Sequence, residues 1–515
     1  MSLSNQDQIF AVIGRFQRGR IDRAFLVDRS TLRRKLGVNQ PIRLSLLNEA
    51  YEQVSESLAN GSYQGAIYRL STSAAAIKWA VWDASAAAGT AGTSWTVSTA
   101  APTASYHIAI RHLECFNDGI VYDVAAAEKL DNSLAQVAGD MVTVRAFDPA
   151  NGQVIMNVTG SLSPTATDEF GETIYLPDKV ASLFPDWEVI VLNGATVPTA
   201  SPAYGLDANG SQKVTRSATL AVFVEGSTTY ANTDYDRAIA ALQYSPLDFG
   251  YLISAGSRAP ALLTRMAALG YAMNRHVKID VPGEFTPAQA KTWQQQLQID
   301  SEFVSFLWAP LIADLPSGGK GTIGTSGLHA GYSARRNAVR DQNGFAAKNS
   351  PVAGRNWPVN RSSIRQLYTP TEQELSMLAD TKIIPVIFDR YNGGGQYVFA
   401  DVLTSRKVQN SVLKLTSVAE MKSDLDEAIT RQAKEYSFLP IATFISRMEA
   451  YLDALLTGAK TAGWLIPSKN LDGNAAFAYT VERSNISPAD KVLIRYYTSY
   501  DGVARQVEVT QVLTR

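Results

Sequence analysis

One change of pattern constrains the fold of this chain more than any other feature: residues 73–231 interrupt a sequence that otherwise alternates strands and helices. The stretch begins with a run rich in Ala, Ser, Thr and Gly, and its short strand-like segments, such as MVTVRAF and WEVIVLN, are separated by Gly, Pro, Asn and Asp. Short strands at regular spacing with turn residues between them are typical of a β-sandwich or barrel. Because strand–helix patterning occurs on both sides, we interpret the stretch as a β-rich insertion carried by the first domain.

Strands and helices alternate on both sides of this stretch. Before it, three strands and one long helix are predicted at residues 9–16, 24–28, 65–71 and 41–59. After it, helical and strand patterns follow one another from residue 235 onward. Repeated β-α-β order predicts a sheet flanked by helices. We therefore expect residues 1–72 and 232–368 to fold together as one α/β core domain.

The last part of the chain predicts an α+β domain over residues 369–500. Thr371 and Glu374 form a capping box that starts a helix, and an apolar stripe marks a long helix over residues 441–462. Alternating residues predict two closing strands, one before and one within a C-terminal arm, residues 501–515. The expected fold class is a multidomain α/β and α+β protein, with mixed sheets flanked by helices, an inserted all-β region and strand-like ends.

The composition argues against several classes of protein. With 515 residues the chain is too long for a single core. Its 47 Lys and Arg balance 48 Asp and Glu, whereas a nucleic-acid surface usually brings a strong basic excess. Cys115 is the only cysteine, which excludes a disulfide or a thiolate cluster within one chain. No apolar run approaches roughly 18 residues, and the N-terminus lacks a signal-peptide pattern, so we expect neither a membrane span nor a signal peptide.

Motifs that could carry chemistry are weak in this sequence. Gly319, Gly321 and Gly324 fit the GxGxxG pattern, but a loop separates them from the preceding strand, which a dinucleotide site should follow directly. Asp280 and Glu284 flank a Pro-Gly turn at a predicted strand end, where an enzyme could use them, although a solvated turn is the simpler interpretation. We find no set of nucleophile, base and oxyanion site. We expect no catalytic residue, no cofactor and no metal, with an α/β enzyme as an alternative.

Both ends of the sequence alternate like strands, with no partner close by in the sequence. An unpaired terminal strand can complete the sheet of another chain, and a head-to-tail contact of this type propagates into rings or helical filaments. The alternative is that each end pairs within its own subunit. The candidate intersubunit strand residues are Ile9, Phe10, Ala11, Val12, Gln506, Val507, Glu508, Val509, Thr510, Gln511, Val512 and Leu513.

Five stretches, in this order, resemble the sheath protein of contractile phage tails and related contractile injection systems. They are FAVIGRFQRGRIDRAFLVDRSTLRRKLG, LANGSYQGAIYRLS, TSGLHAGYSARR, YNGGGQYVFADVLTS and PIATFISRMEAYLDALLTGAKTAGW. The third contains the family's core motif as Ser326, Gly327, Ala330, Gly331, Ala334 and Arg335. The resemblance covers both flanks of residues 73–231 but not that stretch itself. The chain departs from the family in having few residues before Ile9 and no Trp-Gly-x-Arg strand after its glycine turn.

The resemblance implies a structural protein without enzymatic activity. Subunits of such a sheath form six-fold rings stacked helically around a tail tube, between a baseplate and the terminator or neck proteins. A trigger from the baseplate would start contraction, which drives the tube through the host envelope and delivers the genome. Residues 73–231 would face outward and residues 369–500 would lie next to the tube.

The same resemblance sets the expected partners and location. The partners are other copies of the chain, the tail tube, the baseplate and the terminator, with no direct contact to nucleic acid or membrane. The location is the virion, after assembly in the host cytoplasm. Another phage structural protein or an adhesin is the alternative.

One predicted helix near the C-terminus carries charges spaced four residues apart. Such pairs usually form a solvated helix face, and the alternative is a docking surface for the tube or a neighbouring subunit. The charges are Asp424, Asp426, Glu427, Arg431 and Lys434.

Overall fold

A computed structural model describes most of the chain. The described residues are 5–83, 95–104, 106–126, 141–191, 205–206, 212–408, 410–503 and 505. The strands, in chain order, are β1 (Ile9–Gly14), β2 (Phe25–Val27), β3 (Gln64–Arg69), β4 (Ala76–Ile77), β5 (Trp79–Trp82), β6 (Trp95–Ser98), β7 (Ile108–His112), β8 (Val121–Ala126), β9 (Met141–Phe147), β10 (Val154–Ser161), β11 (Trp187–Val191), β12 (Gly205–Leu206), β13 (Gln212–Arg216), β14 (Phe223–Val224), β15 (Tyr251–Ile253), β16 (His276–Val281), β17 (Val304–Trp308), β18 (Leu311–Asp314), β19 (Lys320–Thr322), β20 (Arg365–Gln366), β21 (Ile383–Tyr391), β22 (Gly394–Phe399), β23 (Phe477–Arg483) and β24 (Val492–Thr498). The helices are α1 (Leu32–Leu36), α2 (Glu49–Ala59), α3 (Leu176–Leu183), α4 (Asn232–Gln243), α5 (Pro260–Met273), α6 (Pro287–Leu297), α7 (Ser326–Ala338), α8 (Glu372–Asp380), α9 (Thr416–Glu435) and α10 (Ile441–Thr461).

An eight-stranded sheet forms the centre of the fold. Its strand order is β2-β3-β1-β15-β16-β17-β21-β22. The six inner strands are parallel, and β2 and β22 pair antiparallel at the two edges. The predicted domain boundary at residue 368 is wrong, because β21 and β22 continue the core sheet beyond it. The buried apolar start of β21 fits an inner parallel strand covered on both faces.

Helices cover both faces of this sheet, as the repeated strand–helix order predicts. The strand β1 shows this best, because its successive side chains point to opposite faces. Phe10 and Val12 pack in one hydrophobic cluster with α2 and α7, whereas Ala11 and Ile13 pack in another with α4 and α5.

The long helix predicted over residues 41–59 is shorter than expected. Two short 3₁₀ turns, Ile42–Leu44 and Leu46–Asn48, precede α2, which begins at Glu49. Ser45 lies between the turns in an extended conformation, and its hydroxyl accepts a hydrogen bond from the backbone two residues on. Serine side chains that bond to the local backbone compete with helix formation, which an apolar stripe does not reveal.

Strands β4 to β14, which we call the β-rich region, form sheets of their own. A five-stranded sheet (β10-β9-β8-β13-β12) and a four-stranded sheet (β11-β7-β5-β6) share one hydrophobic cluster around Trp82, Tyr122 and Trp187. Strand β4 pairs with β14, so the chain leaves the core and returns at one place. The expectation of an all-β region is wrong in one respect: Leu176 and Val180, buried and four residues apart, pack helix α3 against this cluster.

Buried arginines join the core to the β-rich region. Arg18, which follows β1, donates two hydrogen bonds of 2.7 Å to Asp148 and one of 3.0 Å to Asp118. Arg69, at the end of β3, donates to Glu225 at 2.6 Å and to a backbone carbonyl of the β-rich region at 2.6 Å. Removing one partner of such a pair would leave a buried charge uncompensated, so these pairs fix the attachment.

The C-terminal region consists of α9, α10 and the two-stranded sheet of β23 and β24. Leu425 and Leu452, one from each helix, pack with Trp464 in a hydrophobic cluster that the hairpin covers. The predicted long helix is confirmed as α10. Strand β24 is one of the two predicted closing strands. It pairs with β23, a strand that is not among those predicted from the sequence. Within the described ranges, no helix is both long and apolar enough to cross a membrane.

Candidate functional site

Helix α7, which contains the core motif, is the point where the parts of the core meet. Its N-terminus lies against Asp280, at the end of β16. One carboxylate oxygen of Asp280 accepts hydrogen bonds from the backbone N–H groups of Thr325 (2.7 Å) and Ser326 (2.8 Å). The other oxygen accepts from the Ser326 hydroxyl at 2.6 Å, the Gln53 amide at 2.9 Å and the Ser254 hydroxyl at 3.1 Å. A carboxylate at a helix N-terminus is favoured by the helix dipole.

These contacts decide between the interpretations of Asp280 and Glu284. The solvated-turn interpretation is wrong for Asp280, which is buried and serves as the anchor of α7. Glu284 is more exposed and forms an ion pair with Arg258. The carboxylate of Asp280 accepts hydrogen bonds on both oxygens from the protein itself, so the arrangement positions a helix rather than a substrate.

A second buried carboxyl, Glu49 at the start of α2, closes the same junction. It accepts hydrogen bonds from the Gly324 backbone at 2.6 Å and from the Gln53 amide at 2.7 Å. Burial, together with the nearby charge of Asp280, raises the pKa of Glu49 to about 7. Arg361 donates to the carbonyl of Gly324 at 2.6 Å and so helps to satisfy the loop that enters α7.

The small residues of the core motif allow α7 to approach α2 closely. A Cβ atom on Gly331 would lie 2.7 Å from the backbone oxygen of Ser57, and one on Gly327 would overlap that of Gln53. Ala330 and Ala334 are fully buried. The motif therefore has a packing role in this fold.

The two arginines at the end of the motif differ in their exposure to solvent. Arg335 is exposed, so a salt bridge from it to a neighbouring subunit is a prediction that this structure does not test. Arg336 is buried and pairs with Glu420 of α9, and Lys278 of β16 lies 3.8 Å from the same carboxylate. Burial disfavours the charge of Glu420, but Arg336 and Lys278 outweigh it and hold its pKa well below the usual range.

Further ion pairs reach the N-terminal turn, a 3₁₀ helix at Asn5–Gln8 that precedes β1. Asp7 accepts a hydrogen bond from Arg340 at 2.8 Å and lies 3.3 Å from the ammonium group of Lys348. The same ammonium group donates to Asp424 of α9 at 2.5 Å. We call the set formed by Asp7, Lys278, Arg336, Arg340, Lys348, Glu420 and Asp424 the ionic network. It links the N-terminal turn, α7 and the core sheet to the C-terminal region.

The charges proposed as a docking surface on α9 are mostly used within the chain. Asp424 is paired with Lys348, as described above. Glu427 is largely buried and accepts a hydrogen bond from Arg275 at 2.6 Å. For these two carboxylates the docking interpretation is wrong. Arg431 forms the expected i,i+4 pair with Glu427 at 2.5 Å, and Asp426 accepts a hydrogen bond from a tyrosine of β24. Lys434 is exposed.

The two candidate exchange strands have different outcomes. The residues Ile9, Phe10, Ala11 and Val12 are not an intersubunit strand, because β1 is paired on one side with β3 and on the other with β15 of the same chain. The candidates from Gln506 to Leu513 lie outside the described residues. The hairpin of β23 and β24 is a sheet of two strands, and neither has a second strand partner in the part of the chain that the structure describes.

No protein-family model and no curated protein matches the chain. Among solved structures, the chain is similar to a sheath tail protein from Listeria innocua, with 12% identity and a TM-score of 0.54 over 95% of this chain and 94% of that one. It is also similar to a sheath tail protein from Desulfitobacterium hafniense, with 14% identity and a TM-score of 0.51 over 98% of this chain and 95% of that one.

At identities this low, the similarity concerns the fold. The chain is a multidomain protein of mixed α and β structure with the fold of the sheath tail proteins. This supports the resemblance to the contractile tail sheath family that the five sequence stretches indicate. Among the described residues, no group of three or more His, Cys, Asp or Glu is arranged to hold a metal ion.

Proposed function

We propose that the chain is the structural subunit of the contractile tail sheath of a myovirus-like phage. The observation that carries this proposal is the match of its fold to sheath tail proteins over 98% of its length. Copies would form six-fold rings stacked around a tail tube, with the baseplate at one end and the terminator or neck proteins at the other. The core motif supports the proposal, because the residues that resemble the family form a close contact between helices α7 and α2.

Strand exchange would connect the subunits. In this proposal, residues 506–515 of one copy pair with an outer edge of the β23–β24 hairpin in a neighbouring copy. The alternating sequence QVEVTQVL supplies a strand, and a two-stranded sheet offers backbone donors and acceptors at its edges. Since the donor and acceptor surfaces differ, the contact would propagate from subunit to subunit.

The C-terminal region would be covered by the tube and by neighbouring subunits. Phe438, between α9 and α10, is fully exposed and has a φ of 68°, which is unusual for a bulky residue. Ile486 and Tyr497, in or near the β23–β24 hairpin, are also exposed. In an assembled sheath these side chains would be covered by the tube or by a neighbouring subunit. The β-rich region would then face outward.

Contraction would move each subunit as a rigid body. The ionic network and the arginine pairs support this, because a hinge at either place would separate buried charges. The exchanged strands would act as tethers while the bodies rotate and slide. New contacts between subunits would supply the free energy, and the baseplate would trigger the motion that drives the tube through the host envelope.

Electron microscopy of the purified chain tests the proposal, together with two variants of one residue in the C-terminal arm. Val509→Pro removes a backbone donor from the proposed strand and should abolish tubular polymers, as should deletion of residues 506–515. Val509→Thr keeps the backbone donor and a β-branched side chain and should polymerise normally. Normal tubes from the truncated chain would contradict the strand-exchange proposal, provided that circular dichroism shows an unchanged fold.

A further inference from the structure

A cleft of about 540 Å³ lies between the core and the β-rich region. Helix α1 and the residues before it form one wall, and strands of the β-rich region form the floor and the other wall. Its volume is in the range of sites that bind small molecules. The sheath proposal assigns no role to this cleft.

Two cations line the cleft without a partner. Arg33 and Arg34 are exposed, and within the described residues neither forms an ion pair. The acidic groups beside them are used elsewhere: Asp148 binds Arg18, and Asp186 binds Arg20 at 2.5 Å. The cleft therefore holds two guanidinium groups that form no ion pair among the described residues, and the Glu114 carboxyl lies in the same lining.

The floor of the cleft holds two polar side chains that lack hydrogen bonds. Glu114 is 8% exposed, and its carboxyl accepts no hydrogen bond from the residues that the structure describes. His112 is 4% exposed, its Nε2 lies 3.8 Å from the Glu114 carboxylate, and its Nδ1 has no partner in the same part of the chain. The ring of Trp187, 4.0 Å from the imidazole between centroids, holds His112 in place.

The protonation of these groups suits a hydroxyl partner. Burial, assisted by Arg20 and Arg18, lowers the pKa of His112 to about 3, so the imidazole is neutral. Burial also raises the pKa of Glu114. A hydroxyl group can both donate and accept, so it can pair with a neutral imidazole in either tautomer and with a carboxyl in either protonation state. A buried polar group that remains unpaired is costly, which favours an occupant.

We propose that the cleft binds a small anion that also carries hydroxyl groups, the chemistry shared by sugar acids and sugar phosphates. Arg33 and Arg34 bind the anionic group, which guanidinium groups recognise through paired N–H donors. Glu114, which lines the cleft, binds a hydroxyl group of the ligand. Because the cleft lies at the joint, a bound ligand also strengthens the attachment of the β-rich region to the core.

Calorimetric titration of the full chain tests this proposal with four probes. D-glucose 6-phosphate and D-glucuronate are the charged sugars, D-glucose carries the hydroxyls alone, and inorganic phosphate carries the charge alone. We expect at least one charged sugar to bind with a dissociation constant in the millimolar range or tighter, and D-glucose and phosphate to bind at least about tenfold more weakly. Arg33→Gln combined with Arg34→Gln should weaken the charged sugar at least about tenfold. Arg29→Gln, at a nearby exposed arginine that does not line the cleft, should leave its affinity unchanged.

A variant of the floor separates recognition of the hydroxyls from recognition of the charge. Glu114→Met removes the carboxyl at similar volume and should reduce the affinity for the charged sugar to that for phosphate. If this variant does not fold, the arginine variants still decide, since both side chains are exposed. Failure of both charged sugars to bind would overturn the proposal. Equal binding of phosphate and sugar phosphate would show an adventitious ion only, and an unchanged affinity in the double arginine variant would place the ligand elsewhere.

Discussion

Replacing Glu420 with glutamine tests whether the ionic network holds the C-terminal region to the core. The Glu420 carboxylate is 3% exposed and pairs with Arg336, which is 5% exposed, and Lys278, 2% exposed, lies 3.8 Å away. Glutamine keeps the shape of the side chain but removes its charge. Glu420→Gln therefore leaves two buried cations without this counter-ion.

The size of the effect follows from the burial of these groups. Removing one partner of a buried ion pair typically costs about 3–5 kcal/mol. Burial lowers the pKa of Lys278 to about 8 even with Glu420 present, so this lysine can reduce the cost by releasing its proton. We therefore expect a loss of about 3 kcal/mol at pH 7 and a smaller loss above pH 8, where Lys278 is neutral in the folded chain.

Hydrogen exchange followed by mass spectrometry measures this loss where it occurs. Backbone amides of α7 and α9 should exchange roughly a hundredfold faster in Glu420→Gln, which corresponds to about 3 kcal/mol of local opening free energy. The β-rich region should be unchanged. Glu435→Gln, at an exposed position at the end of α9, is the matched control. A change of less than about 0.5 kcal/mol in Glu420→Gln would refute the idea that the network joins the two regions.

Three further substitutions test the buried carboxyl of Glu49, the contact between α7 and α2, and the exposed Phe438. The raised pKa of Glu49 means that the folded chain holds this proton more tightly than the unfolded chain, so its stabilising contribution is present at low pH and is lost as the pH rises through about 7. Glu49→Gln should therefore remove up to about 3 kcal/mol of pH dependence between pH 5 and pH 8 and raise the melting temperature at pH 8; an unchanged pH profile of thermal unfolding would contradict this. Alanine favours helices, but Gly331→Ala should lower the free energy of unfolding by about 1–3 kcal/mol, because its Cβ would lie 2.7 Å from the backbone of Ser57. The control Ala338→Leu, on the exposed face of α7, should leave the melting temperature nearly unchanged. A stabilising effect of Gly331→Ala would show that the two helices can separate freely. Phe438→Asn should raise subunit stability by up to about 1 kcal/mol, since asparagine tolerates a positive φ, and should weaken polymerisation measured by sedimentation; unchanged polymerisation would remove Phe438 from the proposed interface.

The sequence predicts best the elements whose patterns are long and local. Helix α10 and the alternation of strands and helices around β15, β16 and β17 follow directly from apolar periodicity and capping residues. The predicted helix starts too early because Ser45 interrupts it through one local hydrogen bond, which apolar periodicity does not reveal. Strand β23 was missed although Phe477, Tyr479 and Val481 alternate along it, a signal that could have identified it.

Partners that are distant in the sequence could not be predicted in the same way. Strand β1 pairs with β15, more than 200 residues away, and no local pattern distinguishes such an internal parallel strand from a free terminal one. Likewise, the charges at Asp424 and Glu427 have the spacing of a solvated helix face, but Lys348 and Arg275 reach them from other elements. The core motif of α7 was found from sequence as a resemblance, whereas its close contact with α2 and its anchor at Asp280 required the structure.

Electron microscopy of the purified full-length chain shows whether it polymerises as a sheath. We expect tubular polymers with six-fold symmetry in cross-section, in which the β-rich region projects outward and the C-terminal hairpin lies toward the inner surface. A strictly monomeric particle under conditions in which the fold is intact, or a polymer without six-fold symmetry, would contradict it.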